Sequence, residues 1–251
     1  MIANPTDLAG LDTQQERRNI EEAFRDLRTQ GLADVDVIEG GTLDELTNRL
    51  DDPHIYHIFH FIGHGGFAAG QGEGVLYFQE DNGSSHEIAN DVLLSQLRRN
   101  DKLCLAVLNS CDGAQAGAHD PFAGMAQHLV QGGIPAAIAM QFRITDKAAI
   151  MFASTFYEKL ARGYTVDRAL TDTRNKIFAH NPTEWGTPVL FMRTDDGRIF
   201  DLPTEEQLRQ RRIEALSADA KAAIDNKDYL SAIQKLQDIQ KLLQPTAAPG
   251  N

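Results

Sequence analysis

Two stretches of the chain are apolar without alternation, and each ends in a polar tip that contains glycine. The first is His54-Ile-Tyr-His-Ile-Phe-His-Phe-Ile-Gly-His-Gly-Gly66. The second, Lys102-Leu-Cys-Leu-Ala-Val-Leu-Asn-Ser-Cys-Asp-Gly113, is largely apolar from Leu103 to Asn109 and then exits into Ser-Cys-Asp-Gly. Strands buried on both faces, as in a parallel sheet between helix layers, have this pattern. Pro135 to Met140 reads the same way. Shorter strands are expected at Val35 to Ile38, Val75 to Gln79 and Thr187 to Met192, with a hairpin signal at Asp81-Asn-Gly-Ser.

Helical periodicity fills the gaps. Thr13 to Leu32 carries one apolar stripe, Ile20, Phe24 and Leu27, among charges. Thr42 followed by Glu45 is a capping-box pattern that opens a helix running to about Leu50. Further helices are expected at Asn90 to Leu97, Phe122 to Val130, Asp146 to Arg162 and Val166 to Phe178. Strands alternating with helices give an α/β fold, a doubly wound and mostly parallel sheet with helices on both faces. The opening is abrupt. Ala3-Asn-Pro-Thr-Asp-Leu reads as the exit loop of a strand, yet only Met1 and Ile2 precede it, so that strand is missing or begins upstream in a longer protein.

From Thr204 the pattern becomes helix only, Glu205 to Asp225 and Tyr229 to Leu243, joined at Asn226-Lys-Asp228. The expected domains are therefore 1–203 and a C-terminal helical hairpin at 204–251. Ala220 to Pro245 resembles one tetratricopeptide-type helix pair, which cannot bury its own apolar face alone. A plain helical hairpin is the other reading.

Composition narrows the class. Apolar content of 42% and 24% charged residues suit a globular protein with a sizeable core. No apolar run approaches the ~20 residues that span a bilayer, and the start lacks the basic and apolar blocks of a signal peptide. A cytoplasmic location without membrane contact is expected. Two cysteines, Cys104 and Cys111, are too few for a disulfide framework and suit a reducing compartment. Net charge is −12, and the last 48 residues hold seven acids and seven bases, so the acidic excess lies in 1–203. Direct nucleic-acid binding is disfavoured, because phosphate contacts need clustered Lys and Arg. A basic protein or peptide partner is easier to accommodate, although a solvated acidic surface is the commoner meaning of such a charge.

Candidate chemistry lies at the two polar tips. Parallel strands place their carboxyl ends on one edge, where open α/β sheets keep ligands. Cys111 leaves one strand there, and His64 stands between glycines at the end of the other. Taken alone, Cys111 reads more readily as a small buried hydrophobe than as a nucleophile. Paired with His64 it becomes a candidate dyad. Gly70-Gln-Gly-Glu-Gly74 superficially looks like a nucleotide loop but leads into a strand rather than a helix. His54, His60 and His64 share one strand parity and His57 the other, and no paired-Cys or His-Glu-x-x-His signature accompanies them. No metal and no cofactor is expected; His60 reads as a hydrogen-bonded core histidine and Cys104 as structural.

Several pieces together resemble the CHAT domains, relatives of the caspases among the caspase-like cysteine peptidases. They are Ala3-Asn-Pro, Phe61-Ile-Gly-His-Gly-Gly66, Val107-Leu-Asn-Ser-Cys111, Asp120-Pro-Phe-Ala-Gly-Met-Ala126, Ile138-Ala-Met-Gln-Phe142, Thr145-Asp-Lys-Ala-Ala149 and Glu184-Trp-Gly-Thr-Pro-Val189. They fall in the family's order over roughly residues 1–203. The separation of His64 and Cys111, 111 − 64 = 47 residues, is near the roughly 50 of caspases. The resemblance implies a three-layer caspase-like fold, a His64–Cys111 dyad, and peptide-bond hydrolysis through an acyl-enzyme. It also implies Gly65 and Cys111 as backbone donors to the oxyanion. The family is often fused to helical repeats and commonly works in bacterial cell-death or defence signalling, under a sensor or repeat domain.

Selectivity is less defined by the residues. Asn109, two before Cys111, and the next strand tip, Met140, Gln141 and Arg143, are expected to flank the pocket for the residue before the cut. Asp112 and Asp146 would receive a basic side chain there, whereas Arg143 would favour an acidic one; either Asp could instead cap a helix. The function expected is that of a cysteine endopeptidase acting on a protein or peptide under a regulatory partner or upstream domain. The alternatives are a non-catalytic interaction module and a metal-dependent hydrolase.

Overall fold

The computed structural model describes residues 1–29, 31–68, 74–110, 121–142, 144–200 and 205–243. They divide into two compact units, Met1–Phe200 and Asp201–Asn251.

The first unit is built on six strands: β1 (Ile58–Phe67), β2 (Gly74–Gln79), β3 (Ser85–Ala89), β4 (Leu105–Ser110), β5 (Ala136–Met140) and β6 (Pro188–Met192). They lie in the order β3-β2-β1-β4-β5-β6. β1, β4 and β5 are parallel neighbours at the centre; β2 and β6 run the other way, and β3 runs with the central three. Burial on both faces explains the unbroken apolar run of β4. Leu105 and Val107 enter one core, and Ala106 and Leu108 enter the other.

Six helices form the unit's two layers. One core gathers α1 (Thr13–Thr29), α5 (Asp146–Ala161) and α6 (Val166–His180), through Phe24, Leu27, Phe152, Phe156, Leu160 and Leu170. The opposite core gathers α2 (Leu43–Asp51), α3 (Asn90–Leu97) and α4 (Pro121–Gln131), through Leu46, Leu93, Leu97, Phe122, Met125 and Leu129. That makes six helices in two layers around one sheet, the three-layer caspase-like α/β arrangement; the seventh and eighth belong to the second unit. The capping box of α2 is present, with Thr42 Oγ1 accepting from Glu45 N and Glu45 Oε2 accepting from Thr42 N.

Three local expectations change. Val35–Ile38 forms no strand. Its apolar character is right for one, but the backbone link it makes is Ile2 N donating to Ile38 O, without a ladder. β1 starts at Ile58 rather than His54, because His54 is tied into a turn by Asp52, whose Oδ1 accepts from His54 N. It also runs past His64: Gly65, Gly66 and Phe67 still pair, opposite Leu76, Val75 and Gly74. A sequence reader discounts glycines in strands, but here the antiparallel partner holds them. At the opening, Ile2 makes a parallel bridge to Ile62, with Ala3 N donating to Ile62 O. The opening residues are therefore strand-like and lie beside β1.

The second unit consists of α7 (Glu205–Asp225) and α8 (Tyr229–Leu243), packed on each other through Ala220, Ala223 and Ala232. The turn between them places Lys227 at φ 61°, and Asp228 Oδ1 accepts from Ser231 N at the start of α8. Tyr229, Leu230, Ile233, Leu236 and Leu243 stay exposed on α8. Among the described residues no helix is long and apolar enough to cross a membrane.

Candidate functional site

β1 and β4 run parallel in a register that pairs Ile58 with Leu105 and Gly63 with Ser110. The offset is 105 − 58 = 47 residues along the whole ladder, the same number that separates His64 from Cys111. Cys111 and Asp112 lie outside the described residues, as does Arg143. The residue to which Cys111 is bonded, Ser110, thus pairs with the residue to which His64 is bonded.

His64 is 4% exposed and has the parity of His60 and Ile62, facing the α1–α5 layer. Asn109 shares that layer as the next residue after Val107 on its face of β4, and it is 5% exposed. Met140, also buried, ends β5 on the same face, with Gln141 beyond it donating its backbone N–H to Thr187 O. His64, Asn109 and Met140 are thereby brought to one sheet edge. Asp146 stands apart as an exposed residue in the first turn of α5. The cap there is Thr145, whose Oγ1 accepts from Ala148 N, rather than Asp146. Thr145 is itself held by Glu184, whose carboxylate accepts from both Thr145 N and Oγ1. Glu184 ties the 184–189 segment to the loop after β5, a role that its place in the sequence did not reveal.

Gly65 is buried against the opposite layer. A Cβ on it would lie 2.4 Å from Phe122 Cε2 and 2.7 Å from Cζ, and Phe122 is sealed in the core. Glycine here lets α4 close on the strand that carries His64. Gly65→Ala is expected to cost about 1–3 kcal/mol of stability by overpacking. A urea midpoint equal to that of the wild type would show that the ring yields freely.

The remaining histidines separate in space. His54 pairs with Asp52 at the surface, at 2.6 Å, and His57 is exposed with its ring edge toward Phe200. His60 Nδ1 meets the Tyr157 hydroxyl at 2.9 Å. Burial pushes its pKa down from 6.5 to about 3, and pushes the Tyr157 phenol far up, so the phenol keeps its proton. Between pH 6.5 and 3 the unfolded chain therefore binds a proton that the folded chain refuses. Stability from this site is complete above pH ~6.5 and is lost as pH falls toward 3. His60 is partly exposed as a residue, so a loss on the order of 2–3 kcal/mol is expected rather than the full shift. His60→Leu should flatten the acid limb of urea midpoints taken from pH 7 to 4; an unchanged slope would place the acid sensitivity elsewhere.

Cys104 contrasts with the candidate nucleophile. Its thiol donates to Lys102 O at 3.1 Å, and burial raises its pKa, so it stays a protonated, structural sulfur.

A central β1/β4 pair whose carboxyl ends present an imidazole and lead into a cysteine, between two helix layers, defines a protein of the caspase-like class. A family model for the CHAT domain matches residues 2–193, and the chain belongs to that family. A comparison with curated proteins found no match.

Proposed function

We propose that the chain is a cysteine endopeptidase in which His64 and Cys111 form the dyad. The observation that carries this reading is the 47-residue ladder offset, which equals the spacing of the two residues. In this chemistry the Cys111 thiolate attacks a peptide carbonyl while the His64 imidazolium gives a proton to the leaving amine. Water then cleaves the thioester, with His64 taking the proton back. The backbone N–H groups of Gly65 and Cys111 receive the oxyanion. Asn109, Met140, Gln141, Arg143 and Asp112 form the surroundings of the residue before the cut, without Asp146, which stands exposed on α5. Membership of the CHAT family supports a protein or peptide substrate, regulation by a sensor or repeat domain, and work in bacterial defence signalling in the cytoplasm. The tetratricopeptide-like hairpin, with its exposed apolar residues on α8, supplies a surface for such a regulator.

The test is thiol alkylation followed by mass spectrometry on the wild type and His64→Ala. Cys111 should label at least about tenfold faster than Cys104, and the difference should vanish without His64. Equal, slow labelling of both thiols would favour the non-catalytic module. Proteins cut by the wild type and not by Cys111→Ala would then identify the substrate.

A further inference from the structure

Between α1 and α5, against the carboxyl halves of β1 and β4, lies a small cavity with polar and apolar walls. Asn19 and Glu16 of α1, His60 and Ile62 of β1, Asn109 of β4 and Met140 of β5 line it. Three polar atoms of these residues make no hydrogen bond among the described residues: Asn19 Nδ2, His60 Nε2 and Asn109 Oδ1. Asn19 and Asn109 are 3% and 5% exposed, so bulk solvent does not serve them. A buried polar group left unsatisfied is costly, and such groups in folded proteins nearly always have a partner. Three of them around one cavity point to a shared one.

Size selects the ligand. The cavity offers about 10 Å³ to the centre of a water-sized sphere. That is near the lower bound for one water and leaves no room for a substrate side chain with its methylenes. The geometry points to one internal water, bound by Asn19 Nδ2, Asn109 Oδ1 and His60 Nε2, that bridges α1 to the strands leading to His64 and Cys111. The hydrogen bonds balance. Asn19 donates to the water, and the water donates to Asn109 Oδ1. With the Tyr157 hydroxyl donating to Nδ1, His60 Nε2–H donates as well; in the other tautomer it accepts, and water serves either. Three bonds is the usual number for a buried water. The consequence is positional. The carboxamide two residues before Cys111 is fixed through α1.

A crystal structure of the full chain at about 1.5 Å should show a peak about 2.7–3.2 Å from Asn109 Oδ1 and from Asn19 Nδ2 or His60 Nε2. A cavity without density, or carboxamides turned to pair with protein groups, would overturn the assignment. Asn19→Leu, similar in shape but without the donor, should lose the peak and lower Tm by about 3–8 °C. An unchanged or raised Tm in a folded variant would also count against the bridge. Should that variant not fold, the wild-type density decides alone.

Discussion

Replacing His64 by alanine is expected to lower kcat/KM for a cleaved protein by about 10³-fold or more, and Cys111→Ala to abolish cleavage. The size follows from the division of labour in a nucleophile–base pair, where removing either member leaves only binding and oxyanion stabilisation. An isolated thiol near pKa ~8.5 is only about 3% thiolate at pH 7. An imidazolium beside it raises that fraction and later serves as the acid for the leaving amine. Two losses therefore combine in His64→Ala, and they separate by pH. Its alkylation rate should climb only toward pH ~8.5, whereas that of the wild type should level off lower. Because His64 is 4% exposed, the variant also loses packing, so folding must be checked by circular dichroism. Unchanged alkylation and cleavage in a folded His64→Ala would remove the dyad.

How much of this could be read from the chain alone depended on whether local pattern or distant packing decides each residue. β4 was legible because burial on both faces leaves no polar position to confuse the reading. Val35–Ile38 has the composition of a strand, but strandhood needs a neighbour to complete a ladder, which composition does not report. β3 (Ser85–Ala89) shows the reverse: Ser-His-Glu-Ile-Ala is poorly apolar, and it becomes a strand because the turn before it folds it onto β2. In the site, the two strand tips were found because their residues are chemically distinctive. Glu16 and Asn19 were not, since α1 was read as a surface helix with an apolar stripe of Ile20, Phe24 and Leu27. A signal was present. Glu16 is one helical turn before Ile20, and Asn19 lies four residues before Ala23, so both extend the buried stripe. Polar residues that continue an apolar stripe are candidates for a buried polar site. The Tyr157 partner of His60, 97 residues away, had no such local trace.

The largest loss of stability is expected at Phe61, on the face of β1 opposite His64. Phe61 is fully buried, with its ring 5.5 Å from that of Phe78 and 6.4 Å from that of Phe59. A Cβ on Gly63 would come within 2.6 Å of Phe61 Cζ, so the ring fills the space that this glycine leaves. Phe61→Ala removes the ring from three aromatic or backbone surfaces at once, and β-strands fixed by neighbours on both sides cannot collapse into the void. A cost of about 3–5 kcal/mol is expected, a large share of the roughly 5–15 kcal/mol that stabilises a typical domain. In Tm this is roughly 10 °C for a unit of this size. Phe142, 68% exposed just after β5, is the control: its replacement by alanine should change stability by less than about 0.5 kcal/mol. Urea unfolding distinguishes the two, and a loss below 1 kcal/mol at Phe61 would mean that the α2–α4 layer repacks around β1. The strand carrying His64 would then owe its position to the α1–α5 layer instead, and the polar cavity on that side would bear more of the burden of holding the site together.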